Sequence, residues 1–429
     1  MKIEVFFVKT IKYYKCITCL GILCQDLGSR SGMYLTKEEE RILEGEMGEV
    51  QERMFRLLVR LGDIYGADRM IPVGSVQVAG VSYKSIGDPG LEFLEDIAEK
   101  GEKVKVLTYL NPAGMDLEDW KNLGFSEDFA RNQLRIIDAF RKMGVVVTST
   151  CTPYLAGNLP RFREHIAWSE SSAVSFANSV IGARTNREGG PSALAAAICG
   201  KTPNYGLHLW NNRQPQIIVN VDADVNLNFL SDFGALGYFV GKQVRNKIPY
   251  FRGIKNADTD QLKALGAAMA ASGAVALYHV EGLTPEADLV EKNGLETVEV
   301  TKKEIIDTYD RLSTGLEPDI VILGCPHASL REISMLADKL REKTLKKPVW
   351  ICTSRMIKEA ADRMGLVDVI EKAGGKVVAD TCMVVSPIED MGFKTTGVNS
   401  GKAANYLPGF CKQNVVFANI DRLIEVQTS

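Results

Sequence analysis

The chain has 429 residues, 45% of them hydrophobic and 24% charged, with a formal net charge of −3. That length exceeds what one core usually holds and points to two or three closely packed domains. There is no basic excess to hold a nucleic-acid backbone and no run of about 18 apolar residues to span a membrane, so neither partner is expected.

Residues 1–32 read as an extension upstream of a start at Met33. They contain Cys16, Cys19 and Cys24, but charged and aromatic residues interrupt the apolar run and no small-residue cleavage site follows it, unlike a signal segment. The Cys16–Cys19 spacing lacks the strand-then-helix context that a redox motif needs. From Thr36, paired with Glu39 in a capping box, the pattern predicts one amphipathic helix to about Leu61. Next, Ile71–Gln77 places Gly74 and Ser75 in a turn whose backbone N–H groups and hydroxyl suit an anion, with a plain turn as the equal alternative.

Short apolar runs then alternate with helical patterns. The runs are Val104–Leu107, Val145–Thr148, Ile217–Val221, Ala274–Leu277, Asp319–Leu323, Val349–Ile351 and Val377–Val378. Strands apolar on both faces and separated by helices predict an α/β protein with mostly parallel sheets covered on both sides. Breaks near 283–300 divide the chain approximately into 33–150, 151–283 and 284–429. Asn111 and Pro112 fall just past the first run, where an Asn-Pro pair is ordinarily only a turn.

Cys151, Cys325 and Cys382 each lie just beyond the carboxyl end of a predicted strand, where open α/β sheets bind ligands. Buried cysteines often act only as small hydrophobes, and Cys352 has a similar place. Three thiolates suit zinc with an open position or three irons of a cubane cluster, and the residues alone leave both open. The four histidines form no HExxH or HxH pattern.

Polar candidates cluster in HIAWSESSAVSFANSVIGARTNREGG. Glu170 and Ser171 offer contacts to substrate or metal, against a helix-capping role for Ser169–Ser172. Arg184 and Arg187 offer bidentate anion contacts, against ordinary ion pairing. Gly189–Ser192 opens a helix that Gly200 closes. Lys402, in the loop-to-helix sequence Asn399–Lys402, is a candidate to neutralise a carboxylate or phosphate; the missing upstream glycine argues against a nucleotide loop.

These segments, with TSTCTPYLAGNLP, GCPHAS, DTCMVVSP and NSGKAANYLPG, resemble the large subunit of the aconitase X family from Met33 to the end. The resemblance implies an aconitase-like fold of several closely packed domains and a cytoplasmic hydro-lyase. Its archaeal branch dehydrates (R)-5-phosphomevalonate to trans-anhydromevalonate 5-phosphate in the mevalonate pathway. It further implies a [4Fe-4S] cluster with one open iron on Cys151, Cys325 and Cys382, and substrate contacts at Gly74, Ser75, Val76, Asn111 and Pro112. A separate small subunit, equivalent to the aconitase swivel domain, would bring the catalytic base. The alternatives are the bacterial branch, which dehydrates hydroxyproline and commonly has the small domain fused, and a noncatalytic metal-containing regulator that binds an acidic metabolite.

Overall fold

A computed structural model describes residues 32–428. Cys16, Cys19 and Cys24, with the spacing noted above, lie outside the described residues.

The Thr36–Glu39 capping box forms as expected, each side chain accepting the other's backbone N–H, and it opens helix Lys37–Leu43. The single helix expected to Leu61 is two, because the chain turns at Gly45 and Gly48 before Glu49–Tyr65 begins. The second helix buries Met54, Phe55 and Leu58 against the first unit's core.

Three parallel sheets follow. The first runs Val146–Ser149, Leu107–Leu110, Ser75–Val78 and Ala167–Trp168. The second runs Thr297–Val300, Ile217–Val221, Pro249–Arg252 and His279–Val280. The third runs Lys376–Ala379, Val349–Thr353, Ile320–Leu323, Thr395–Val398 and Asn414–Phe417. Ile320–Leu323 and Val349–Thr353 are buried along their whole lengths, the signature of strands covered by helices on both faces.

One hydrophobic cluster joins the second and third sheets, packing Phe233, Leu265 and Phe251 with Trp350 and Phe417. Each such buried side chain contributes roughly 1.5–3 kcal/mol to holding these two units together.

Two predicted runs are displaced. The strand expected at Val104–Leu107 is Leu107–Leu110, because the Val104 and Lys105 N–H groups bond to Met143 O and Ala197 O at the ends of helices instead of to a ladder. Ala274–Leu277 forms no strand: Ala274 ends helix Thr259–Gly273 at φ 64, and the strand is His279–Val280.

Candidate active site

Because the sheets are parallel, their carboxyl ends define edges, and those of the first and third sheets meet. The Ala113 N–H donates to Asp380 O at 2.8 Å, just past the first sheet's Leu107–Leu110 strand and the third sheet's Lys376–Ala379 strand. The Ser82 hydroxyl donates to Val385 O at 2.8 Å, and the Ala379 N–H to Asp116 Oδ2 at 2.9 Å. All three cysteines sit in this seam: Cys151 beyond Val146–Ser149, Cys325 beyond Ile320–Leu323, and Cys382 beyond Lys376–Ala379. Gly324 sets the turn into Cys325: its φ of +85 suits glycine, and a Cβ there would lie 2.0 Å from Cys352 O.

The three thiols are free and 3%, 6% and 8% exposed. Burial raises all three, Cys325 to about 12 and Cys151 well above the ordinary thiol value, while the Lys402 charge pulls each one down. Each also has a donor suited to a thiolate. The His327 N–H donates to Cys151 Sγ at 3.2 Å, the Ser400 hydroxyl faces Cys325, and the Val384 and Val385 N–H groups face Cys382. Cys151 and Cys325 both feel the charge of Cys382. Among the described residues, no group of three or more His, Cys, Asp and Glu side chains is arranged to hold one metal ion.

Opposite the thiols lies a buried ion pair. The Lys402 ammonium donates to Glu170 Oε1 and, at 3.1 Å, to Ser172 Oγ. Glu170 also accepts from the Ser172 N–H at 3.0 Å and the Ser172 hydroxyl at 2.7 Å, capping helix Ser171–Phe176. Burial opposes both charges, yet Lys402 holds the carboxyl below its usual range, and Glu170 and the thiols hold the ammonium well above its own. Lys402 is delivered by helix Gly401–Cys411, whose first residue abuts helix Leu230–Val244 so closely that a Cβ on Gly401 would lie 2.5 Å from Gly234 O.

Some of the buried polar atoms without partners belong to segments that reach this seam. Asn111 Oδ1, Ser149 Oγ, Tyr154 Oη and Thr381 Oγ1 are buried and have no hydrogen-bond partner among the described residues. Such atoms cost about 1–3 kcal/mol each when left unpaired, and these four stand where a ligand beside the thiols would meet them. With all-sulfur donors and N–H groups aimed at two of the sulfurs, the residues fit an iron-sulfur cluster.

The predicted residues divide between two edges. Asn111, Pro112, Glu170, Ser171 and Lys402 come together with the cysteines. Gly74, Ser75, Val76 and Arg184 do not. Ser75 is the first residue of Ser75–Val78, three residues below its carboxyl end, so ~10 Å of strand separates it from the seam. Its hydroxyl accepts from the Trp168 indole N–H at 3.2 Å, Val76 is fully buried in the core, and a Cβ on Gly74 would meet Glu164 Oε1 at 1.9 Å. Arg184 bridges His165 at that lower edge and donates to His208 O at 3.2 Å. Arg187, three residues on, is the arginine on the seam side. It donates to Ala274 O at 2.6 Å, and burial lowers its basicity while Tyr406 and Glu170 raise it.

The strand turns out to present its other end. Ala79–Ser82 follow Val78 beside Asn111, and the Ala79 N–H donates to Ser169 Oγ at 2.6 Å. The alternation Val76-Gln77-Val78 followed by Gly80 was the signal for a strand ending there.

The sequence pattern of the aconitase X first domain matches residues 32–211, that of the second domain 215–310, and that of the third 318–429. A phosphomevalonate dehydratase large subunit from Methanocaldococcus jannaschii is 59% identical over 401 residues, covering 92% of this chain and 100% of that protein. A cis-3-hydroxy-L-proline dehydratase from Pseudomonas aeruginosa is 32% identical over 414 residues, covering 93% of this chain and 70% of its own length. The crystal structure of Thermococcus kodakaraensis aconitase X in its holo-form superposes with a TM-score of 0.86 at 50% identity, covering 92% of this chain and 99% of that one. The chain belongs to the aconitase X family.

Proposed function

We propose that the chain is the large subunit of a cytoplasmic phosphomevalonate dehydratase, removing water from (R)-5-phosphomevalonate to give trans-anhydromevalonate 5-phosphate in an archaeal mevalonate pathway. The carrying observation is the seam itself, with three buried thiols beside a buried lysine paired to Glu170. The relatives support the substrate: those named for phosphomevalonate reach 59% and 54% identity, against 32% for the hydroxyproline enzyme.

Cys151, Cys325 and Cys382 would hold a [4Fe-4S] cluster, which when bound supplies a Lewis-acidic iron to ease departure of the C3 hydroxyl. The chain's own residues bind and orient. Lys402, kept charged by Glu170, and Arg187 offset the substrate's carboxylate and phosphate, which makes the C2 proton easier to remove. Asn111 Oδ1 accepts from a substrate hydroxyl, and Ser171 donates at the neighbouring position. The base comes from a small subunit equivalent to the aconitase swivel domain, a partner in keeping with the relatives' names as large subunits. Reduced cytoplasmic thiols suit a site of free cysteines.

The test is anaerobic co-production with the small subunit, followed by iron analysis, EPR and product detection. Turnover of phosphomevalonate, abolished by Cys151→Ala, Cys325→Ala or Cys382→Ala, is expected. Turnover of hydroxyproline alone, or binding of phosphomevalonate without product, refutes the proposal in favour of the sister activity or a regulator.

A further inference from the structure

We infer that His327 is a positioning residue that ties the loops carrying Cys151, Cys325 and Cys382 to one another. The inference rests on the proposal that these cysteines hold the cluster, and adds how the protein sets their spacing.

His327 is fully buried and makes four hydrogen bonds, each informative. Its own position, two residues past Cys325, attaches it to the second cysteine loop. Its ring Nε2 lies 2.9 Å from Thr381 O, next to Cys382, and its Nδ1 lies 3.0 Å from Thr150 Oγ1, next to Cys151. A carbonyl only accepts, so Nε2 carries the ring proton and Nδ1 accepts from the Thr150 hydroxyl. One imidazole in one tautomer thus joins the residue preceding Cys151 to the residue preceding Cys382.

The main chain completes the arrangement. The His327 N–H donates to Cys151 Sγ at 3.2 Å, and its carbonyl accepts from Lys263 Nζ at 3.1 Å. Lys263 is itself fixed by Asp260 at 3.1 Å and by Glu332, on helices of the second and third units. The three loops are therefore referenced to the rigid body below them and to each other. Without the ring, each loop keeps its cysteine but loses its common anchor.

The experiment compares wild type, His327→Phe, His327→Gln and Ile370→Val after anaerobic reconstitution with ferrous iron and sulfide. The readouts are iron and sulfide per chain, and the decay of the cluster's visible absorbance under a chelator. Phenylalanine fills the space without either bond, whereas glutamine offers one donor and one acceptor. His327→Phe is expected to lose its cluster about 10- to 100-fold faster than wild type, with His327→Gln restoring most of the lifetime. Ile370, fully buried in the third unit's satellite core, controls for loss of stability alone and is expected to leave the lifetime unchanged.

Equal lifetimes for wild type and His327→Phe overturn the inference and leave the ligand proposal standing. Equally fast loss from Ile370→Val also overturns it, since retention would then follow stability. A wild type that takes up no iron overturns the ligand proposal, and the inference with it.

Discussion

Replacing Lys402 by methionine removes the one ammonium that Glu170 and the three thiols share. The Lys402 and Glu170 side chains are 8% and 12% exposed, so the carboxylate left behind has little water to turn to. Ser172 still donates twice, but breaking a buried pair on one side costs about 3–5 kcal/mol. At about 2–4 °C per kcal/mol for units of this size, the unfolding midpoint falls by roughly 10 °C.

The pH dependence inverts as well. In the wild type, Glu170 titrates below its ordinary value, so its contribution is present above that value and is lost as pH falls through the folded one. In Lys402→Met only the two Ser172 hydrogen bonds oppose burial, the largest influence on this carboxyl, and the folded group is expected to titrate above its ordinary value. Stability is then greatest at low pH and is lost as pH rises from the ordinary carboxyl value through the raised one. Guanidinium unfolding of the metal-free chain in oxygen-free buffer, from about pH 5 to 8, measures both effects. Lys402→Met/Glu170→Gln should recover most of the loss. A single variant within about 0.5 kcal/mol of wild type, or a double variant no more stable than the single, refutes the pairing argument.

Other sites give further outcomes. Burial holds His208 down at about 3 and His279 at about 4, so both fold neutral. As pH falls below ~6.5 the unfolded chain takes up these protons first, costing about 1.4 kcal/mol per pH unit for each until the folded values are reached. The slope of stability against pH between about 4.5 and 6 should shrink in His279→Gln, and an unchanged slope counts against a buried neutral ring. Gly401→Val should drive helix Gly401–Cys411 off Gly234 and cost about 1–3 kcal/mol as overpacking. Gly409→Ala, on the same helix with nothing near its Cβ, should be neutral or slightly stabilising.

The architecture was readable because a parallel strand covered on both faces is apolar along its length, as Ile320–Leu323 is throughout and Ile217–Val221 is but for Asn220. The placement of the cysteines followed, since a residue just past such a run falls at the carboxyl edge. Gly74, Ser75 and Val76 lie away from the seam for a reason that the residues alone do not show. A Gly-Ser turn looks the same whether it enters a strand or leaves one, and only the ladder from Ser75 opposite Leu107 to Val78 opposite Leu110 fixes the direction. Arg184 and Arg187 are equivalent donors by residue type, and three residues of extended chain put them at opposite ends. The role of His327 could not be read from sequence, because its partners Thr150 and Thr381 lie 177 and 54 residues away.

That long separation has a consequence for biosynthesis. Cys151 belongs to the first unit and Cys325 and Cys382 to the third, so a nascent chain emerging from the ribosome carries one sulfur of the set long before the others exist. Scaffold proteins that hand over iron and sulfide would meet a complete acceptor only after the last unit had been made and docked. A chain truncated before residue 325 could fold its first sheet and still present only Cys151 of the three thiols. Loading with iron would thus report, in the cell, that the C-terminal third had arrived.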